Sequence, residues 1–161
     1  MSDSDAHKQL FAALGRVPSG LFILTARHGD QETGMLASWV QQCSFEPPLV
    51  SVAIKKDRPI AHWLADRGTF VLNILDDTQT DMIAHFGRGF PLDAPAFSGL
   101  DVDRDSSSAP LLREALAYLE CQVAARHPAG DHDLYLAVVL SGQLLNDGHP
   151  MVHIRKSGQH Y

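Results

Sequence analysis

Between Ala117 and Val123 the chain alternates: Ala117, Leu119, Cys121 and Val123 are apolar, with Tyr118, Glu120 and Gln122 between them. Successive strand side chains point to opposite faces, so a period of two marks a strand with one buried face. Propensity alone reads the wider segment Leu111–Arg126, rich in Ala, Leu and Glu, as a helix; the alternation favours the strand. Asp133–Leu145 is a second long strand, with Gly142 as a bulge candidate. Asn146-Asp147-Gly148 then turns the chain into a short strand at Met151–Ile154. The three segments read as an antiparallel meander, which commits the rest of the chain to completing a sheet or barrel.

The N-terminal half supplies short elements that suit this. Residues 5–15 place Leu10, Phe11 and Leu14 at helical spacing, ended by Gly15 and Pro18. Gly20–Ala26 is a strand that runs into a turn at His28-Gly29-Asp30. Thr33–Phe45 has no clean period and reads as one strand with an irregular stretch. Leu49–Ile54 is a strand behind Pro47-Pro48. Ile60–Asp66 is a short helix, with Pro59 in its first turn and Gly68 at its end. Thr69–Leu75 is a strand and Thr80–Phe86 a helix. The proline-punctuated stretch Gly87–Pro110, with Ser106-Ser107-Ser108, reads as a mobile or partner-facing excursion. The whole is mostly β with short helices and antiparallel strands.

Length and charge narrow the function. At 161 residues and 45% hydrophobic the chain fits one globular domain. Thirteen basic against nineteen acidic residues leave a net charge of −6, and no basic stripe offers a nucleic-acid or anionic-membrane surface. No apolar run approaches the roughly 20 residues that span a bilayer. The acidic MSDSDAHKQL start lacks the features of a secretory signal. Cys43 and Cys121 form no CxxC pair and read as reduced thiols, so a cytoplasmic protein is expected. Phosphate-loop, dinucleotide-fold, zincin and hydrolase-elbow motifs are absent.

Three patches carry chemistry. Thr33-Gly34-Met35-Leu36-Ala37-Ser38-Trp39 has small residues that let a flat ligand approach the backbone, and a flavin ring suits it; on these residues alone a bulged core strand is the favoured reading. Lys55-Lys56-Asp57-Arg58-Pro59 gathers three cations before a short helix. It reads either as a phosphate site gripped by Arg58, with Asp57 as the helix cap, or as a solvated turn. Gly130-Asp131-His132-Asp133 puts His132 at a strand mouth, where imidazole can donate to a ring or phosphate or handle a proton near neutral pH. Consecutive strand residues point to opposite faces, so His132 and its two carboxylate neighbours are not expected to converge on one metal ion.

In order, the stretches Arg16-Val17-Pro18-Ser19-Gly20, Gly34-Met35-Leu36-Ala37-Ser38-Trp39-Val40, Ser44-Phe45-Glu46-Pro47-Pro48-Leu49-Val50, Phe70–Leu75, Ala84-His85-Phe86 and Gly130-Asp131-His132 resemble the flavin reductase-like family. GMLASWV, KDRPI, GDHDLYLA and MVHIRKSGQHY are most similar to the C-terminal flavin reductase module of flavodiiron proteins of oxygenic phototrophs. The resemblance implies an FMN-binding split β-barrel, antiparallel and Greek-key-like, over residues 10–161 behind a polar extension at 1–9, with the module expected to stand alone. It implies a homodimer with one FMN per subunit. Isoalloxazine contacts are expected from Met35, Leu36, Ala37, Ser38, Trp39, Val40, Cys43, Ser44 and Phe45. Ser38 is expected near the ribityl or phosphate region, Lys56, Asp57, Arg58 and Pro59 at the phosphate, and His85 at the cofactor. His132 is expected beside flavin and nicotinamide.

The implied reaction is hydride transfer from NADH or NADPH to flavin N5, with electrons passed to a partner protein or dioxygen. The alternatives are an FMN-holding electron-transfer protein reduced by a protein partner, and a non-redox binding barrel. The transfer itself needs no acid–base catalyst, only positioning. The acidic surface makes the nucleotide site a local one, expected near the Gly87–Pro110 loop.

Overall fold

The computed structural model describes residues 2–65 and 67–160. Helix α1 (Asp3–Leu14) starts under a cap in which the Ser2 hydroxyl accepts from the Asp5 N–H. There follow β1 (Ser19–Gly20), β2 (Phe22–His28), β3 (Gln31–Ala37), β4 (Val40–Phe45), β5 (Pro48–Lys55), a 3₁₀ turn (Pro59–His62) and β6 (Thr69–Ile74). Next come α2 (Thr80–Phe86), β7 (Val102–Asp103), β8 (Leu111–Leu112), β9 (Ala117–Ala129), β10 (His132–Leu144) and β11 (Val152–His153).

Seven strands form one antiparallel sheet in the order β3-β2-β6-β9-β10-β5-β4. Strands β3 and β4 stand at its opposite edges, yet only Ser38 and Trp39 separate them in sequence. Laid flat, a seven-strand sheet would hold its edges about 29 Å apart, whereas that link reaches only about 11 Å. The sheet therefore curls so that its two edges approach at Ser38–Trp39, without pairing to each other among the described residues. The Ala53 N–H on β5 fastens the link by donating to the Trp39 carbonyl at 3.0 Å.

Curling creates two cores. Inside lie Leu24, Val52, Ile54, Phe70, Leu72 and Tyr135 among others. On the outer side of β2, Leu21, Ile23, Leu75, Phe86, Phe97 and Leu112 form a second cluster. The 87–110 stretch, expected to be an excursion, supplies Ala96 and Phe97 to that cluster and is bound to the sheet as its cover.

Other local expectations change for physical reasons. Thr33–Phe45 is two strands rather than one, because the sheet must pass from edge to edge at Ser38–Trp39. The helix expected at Ile60–Asp66 is a single 3₁₀ turn at Pro59–His62, and Asp66 lies outside the described residues. The β9–β10 hairpin forms around Gly130 (φ 65°), but β11 pairs with β1 instead of extending the meander. Register shifts fall at Leu136/Ala137 and Val139/Ser141 rather than at Gly142. Gly142 serves close approach: a Cβ there would lie 2.7 Å from Leu119 Cδ2.

Candidate functional site

The Ser38–Trp39 crossing is the floor of the site. Alternation along β3 buries Met35 and Ala37 in the barrel and turns Leu36 to the outer cluster. Among the described residues β3 pairs with β2 alone, so its other row of N–H and C=O groups faces away from the sheet. A crevice of about 50 Å³ is lined by Met35 to Trp39, Ala53, Arg58 and Gly87. It shares Ser38, Trp39 and Ala53 with an open groove of about 570 Å³ that is also lined by Val40, Ser51 and Leu134.

One cation of the basic turn reaches the crevice. Arg58 enters it, with Nη1 donating to the Arg88 carbonyl at 3.2 Å. Lys56 turns toward the β9–β10 hairpin, where Nζ donates to the Gly130 carbonyl at 2.7 Å. Asp57 pairs with Lys55 at 3.5 Å and does not cap the turn that follows, whose first flanking residue is Arg58 with no side-chain cap bond. Pro59 does occupy the first turn position, as its fixed φ favours.

On the other side of Trp39 sits His132, buried at 6% exposure and opposite Lys55 in the β10–β5 register. Its ring centroid lies 4.8 Å from that of Trp39. His132 Nδ1 donates to Asp131 Oδ1 at 2.7 Å, since a carboxylate can only accept. That bond, first among the causes, holds the Asp131 carboxyl below its usual range. Trp39 and His132 share a cavity of about 580 Å³ with Phe11, Lys55, Asp131 and Arg155. The Arg155 guanidinium lies 4.9 Å over the Trp39 ring. Lys55 enters the sequence reading only as one of the three cations of the basic turn, and Arg155 is not among the sequence candidates. Lys55 was legible as the residue that strand pairing sets against His132; Arg155, in a tail without periodicity, left no signal.

Comparison with known proteins decides the family. Residues 14–160 match the domain described as Flavin reductase like domain. The chain belongs to the flavin reductase like domain family. It is 42% identical over 161 residues to "Diflavin flavoprotein A 1" of Synechocystis sp., covering 99% of this chain and 27% of that protein. It is 43% identical over 161 residues to "Putative diflavin flavoprotein A 1" of Thermosynechococcus vestitus, covering 99% of this chain and 28% of that one. The chain thus spans about a quarter of the length of these curated relatives. Among solved structures, the NADH:FAD oxidoreductase SgcE6 of Streptomyces globisporus superposes with TM-score 0.84 at 27% identity, covering 97% of this chain and 92% of that one. The mostly-β, antiparallel split-barrel architecture with short helices is thereby shared with flavin reductases.

The crevice suits a flavin in this flavin reductase like domain. An unpaired strand edge offers amide groups of the kind a flavin ring's polar edge can use, Arg58 brings a cation to the same crevice, and the adjoining groove is large enough for a ring. Other family-implied residues lie apart from it. Phe45 is 89% exposed and Cys43 exposed; with Ser44 they line a separate depression on edge strand β4. Phe45 pairs with Pro48, seven residues and about 24 Å along β5 from Lys55. His85 Nε2 donates to the Ala96 carbonyl at 2.8 Å, so this ring is held by the cover segment. Among the described residues no cluster of three His, Cys, Asp or Glu is placed to hold a metal, and no helix is long and apolar enough to cross a membrane.

Proposed function

We propose that this chain is an FMN-dependent NAD(P)H:flavin oxidoreductase, acting as a homodimer that passes electrons to a partner protein or dioxygen. The observation that carries the reading is the meeting, at Ser38–Trp39, of an open strand edge, the Arg58 guanidinium and the Trp39–His132 ring pair. The flavin supplies the hydride-accepting ring. The chain's own residues bind and orient. The β3 edge offers fixed backbone donors to the ring's polar edge, and such donors need no reorganisation as charge develops. Arg58 grips the phosphate, steadied by its bond to the Arg88 carbonyl. Half-buried Trp39 walls the ring pocket from water. His132, its Nδ1 proton held by Asp131, orients the nicotinamide toward the flavin. In a homodimer, exposed β4 with Cys43, Ser44 and Phe45 would complete the ring site from a subunit edge.

Anaerobic mixing of FMN-loaded protein with NADH or NADPH tests the reading. Loss of visible flavin absorbance at catalytic rates is expected. Retained FMN without bleaching would leave a carrier reduced by a protein partner, and loss of FMN on gel filtration would leave a non-redox barrel. Arg58→Ala should weaken FMN binding about tenfold by fluorescence titration, the worth of one charge-assisted hydrogen bond.

A further inference from the structure

Two separate groups of cations flank Trp39. Arg58 lies in the crevice on one side, while Lys55 and Arg155 line the cavity with His132 on the other. One flavin mononucleotide has one phosphate, which leaves the second group for another anion, with Lys55 held in part by its 3.5 Å pair with Asp57. Among the described residues the cavity's only lining carboxylate, Asp131, is engaged by His132. Among the described residues the Arg155 guanidinium pairs with no carboxylate, in a chain with net charge −6. The guanidinium carbon sits over the Trp39 ring at 4.9 Å from its centroid, a contact that leaves the in-plane N–H donors available to an anion.

The backbone holds Arg155 in this position. Its N–H donates to the Gly15 carbonyl at 3.2 Å, and the Gly158 N–H donates to the Phe11 carbonyl at 2.6 Å. A Cβ on Gly15 would lie 2.8 Å from the Arg155 carbonyl oxygen, and one on Gly158 would overlap Leu14 Cβ. The two glycines let the C-terminal tail lie directly on the end of α1 and close one wall of the cavity.

We infer that this cavity is an anion-receiving subsite in which Arg155, with Lys55, binds a phosphate of the nicotinamide dinucleotide and sets the affinity for it. The inference rests on the reductase reading for the identity of the ligand. NADH and NADPH share the pyrophosphate, and NADPH adds a 2′-phosphate.

The test is calorimetric titration of FMN-loaded protein with NAD⁺ and NADP⁺, beside steady-state kinetics with the reduced forms. Arg155→Gln should weaken binding about tenfold, with the loss falling on KM more than on kcat, and Arg155→Lys should recover part of it. An equal loss for both nucleotides assigns the pyrophosphate, and a loss concentrated on NADP⁺ assigns the 2′-phosphate. Unchanged affinity for both overturns the inference. Should Arg155→Gln fail to fold, the salt dependence of wild-type binding decides: affinity falling steeply with added salt supports an anion subsite, and salt-insensitive binding overturns it. Wild-type protein that binds nucleotide without bleaching removes the reductase reading and leaves the subsite. Protein that bleaches while Arg155→Gln binds as wild type does the reverse.

Discussion

Strands β2 and β6 present their two faces to different kinds of packing. Inward, Leu24, Phe70 and Leu72 meet other hydrocarbon across the barrel. Outward, Ile23 meets the second cluster, but Thr25 and Asn73 are buried among it. These polar groups act as braces. Asn73 Nδ2 donates to the Ile23 carbonyl at 3.0 Å, and the Leu112 N–H donates to Asn73 Oδ1 at 2.8 Å. The Thr25 hydroxyl donates to the Pro110 carbonyl at 2.6 Å. A cover with little secondary structure buries backbone groups that no ladder satisfies, so it needs directional partners from the sheet beneath. The barrel interior, whose backbone is already paired, needs only area removed from water.

That difference should survive being pushed. Phe70→Ala, on the inner face, should cost about 3–5 kcal/mol in urea denaturation as one cooperative loss. A cost near zero would mean that the interior is not continuous. Asn73→Ala leaves the buried Leu112 N–H unsatisfied and should cost about 2–3 kcal/mol. Its signature is faster hydrogen exchange over the cover, residues 96–112, ahead of the barrel; exchange rising equally everywhere would erase the distinction between the faces.

A smaller effect belongs to Asp103 in the cover. The Ser106 hydroxyl, the Asp105 and Ser106 N–H groups and Arg113 hold its carboxyl down to about 2 from an ordinary 3.8. A lowered carboxylate pKa stabilises the fold above the unfolded value. This contribution should therefore be full above pH 4 and vanish as pH falls toward 2, and Asp103→Asn should flatten thermal unfolding across that window. The smallest effect carries no stability change. Burial pushes the Cys121 thiol up to about 12, whereas Cys43 is exposed, so a thiol reagent should titrate one group at once and the second only on unfolding. Rapid reaction of both would show that the inner face opens in the native state.

The same contrast explains what the sequence disclosed. Alternation from Ala117 to Val123 marks β9 because each residue reports its own face, and Gly130 marks the hairpin because the turn needs its positive φ. The cover was misread. What holds it, Asn73 to Leu112 and Thr25 to Pro110, joins residues 39 and 85 apart in the chain, and no local pattern records such bonds. In the site, Met35 to Trp39 and Arg58 line one crevice and the His132 ring lies beside that of Trp39; residue type picks out each patch separately but does not record that they meet. Asp57 as a cap failed because a four-residue 3₁₀ turn took the place of a longer helix. Phe45 and Cys43 entered through resemblance to a family, and the single chain does not bring them to the crevice.

Ser38 and Trp39 are at once the strap that ties the two edges of the sheet and the bed on which a ligand would rest. Lengthening that strap by even one residue would loosen the seam and shift the bed together. Variation among such proteins is thereby steered away from insertions here and toward exchanging side chains on an unaltered backbone, while growth in length is displaced to hairpin tips such as Gly29-Asp30, far from the seam.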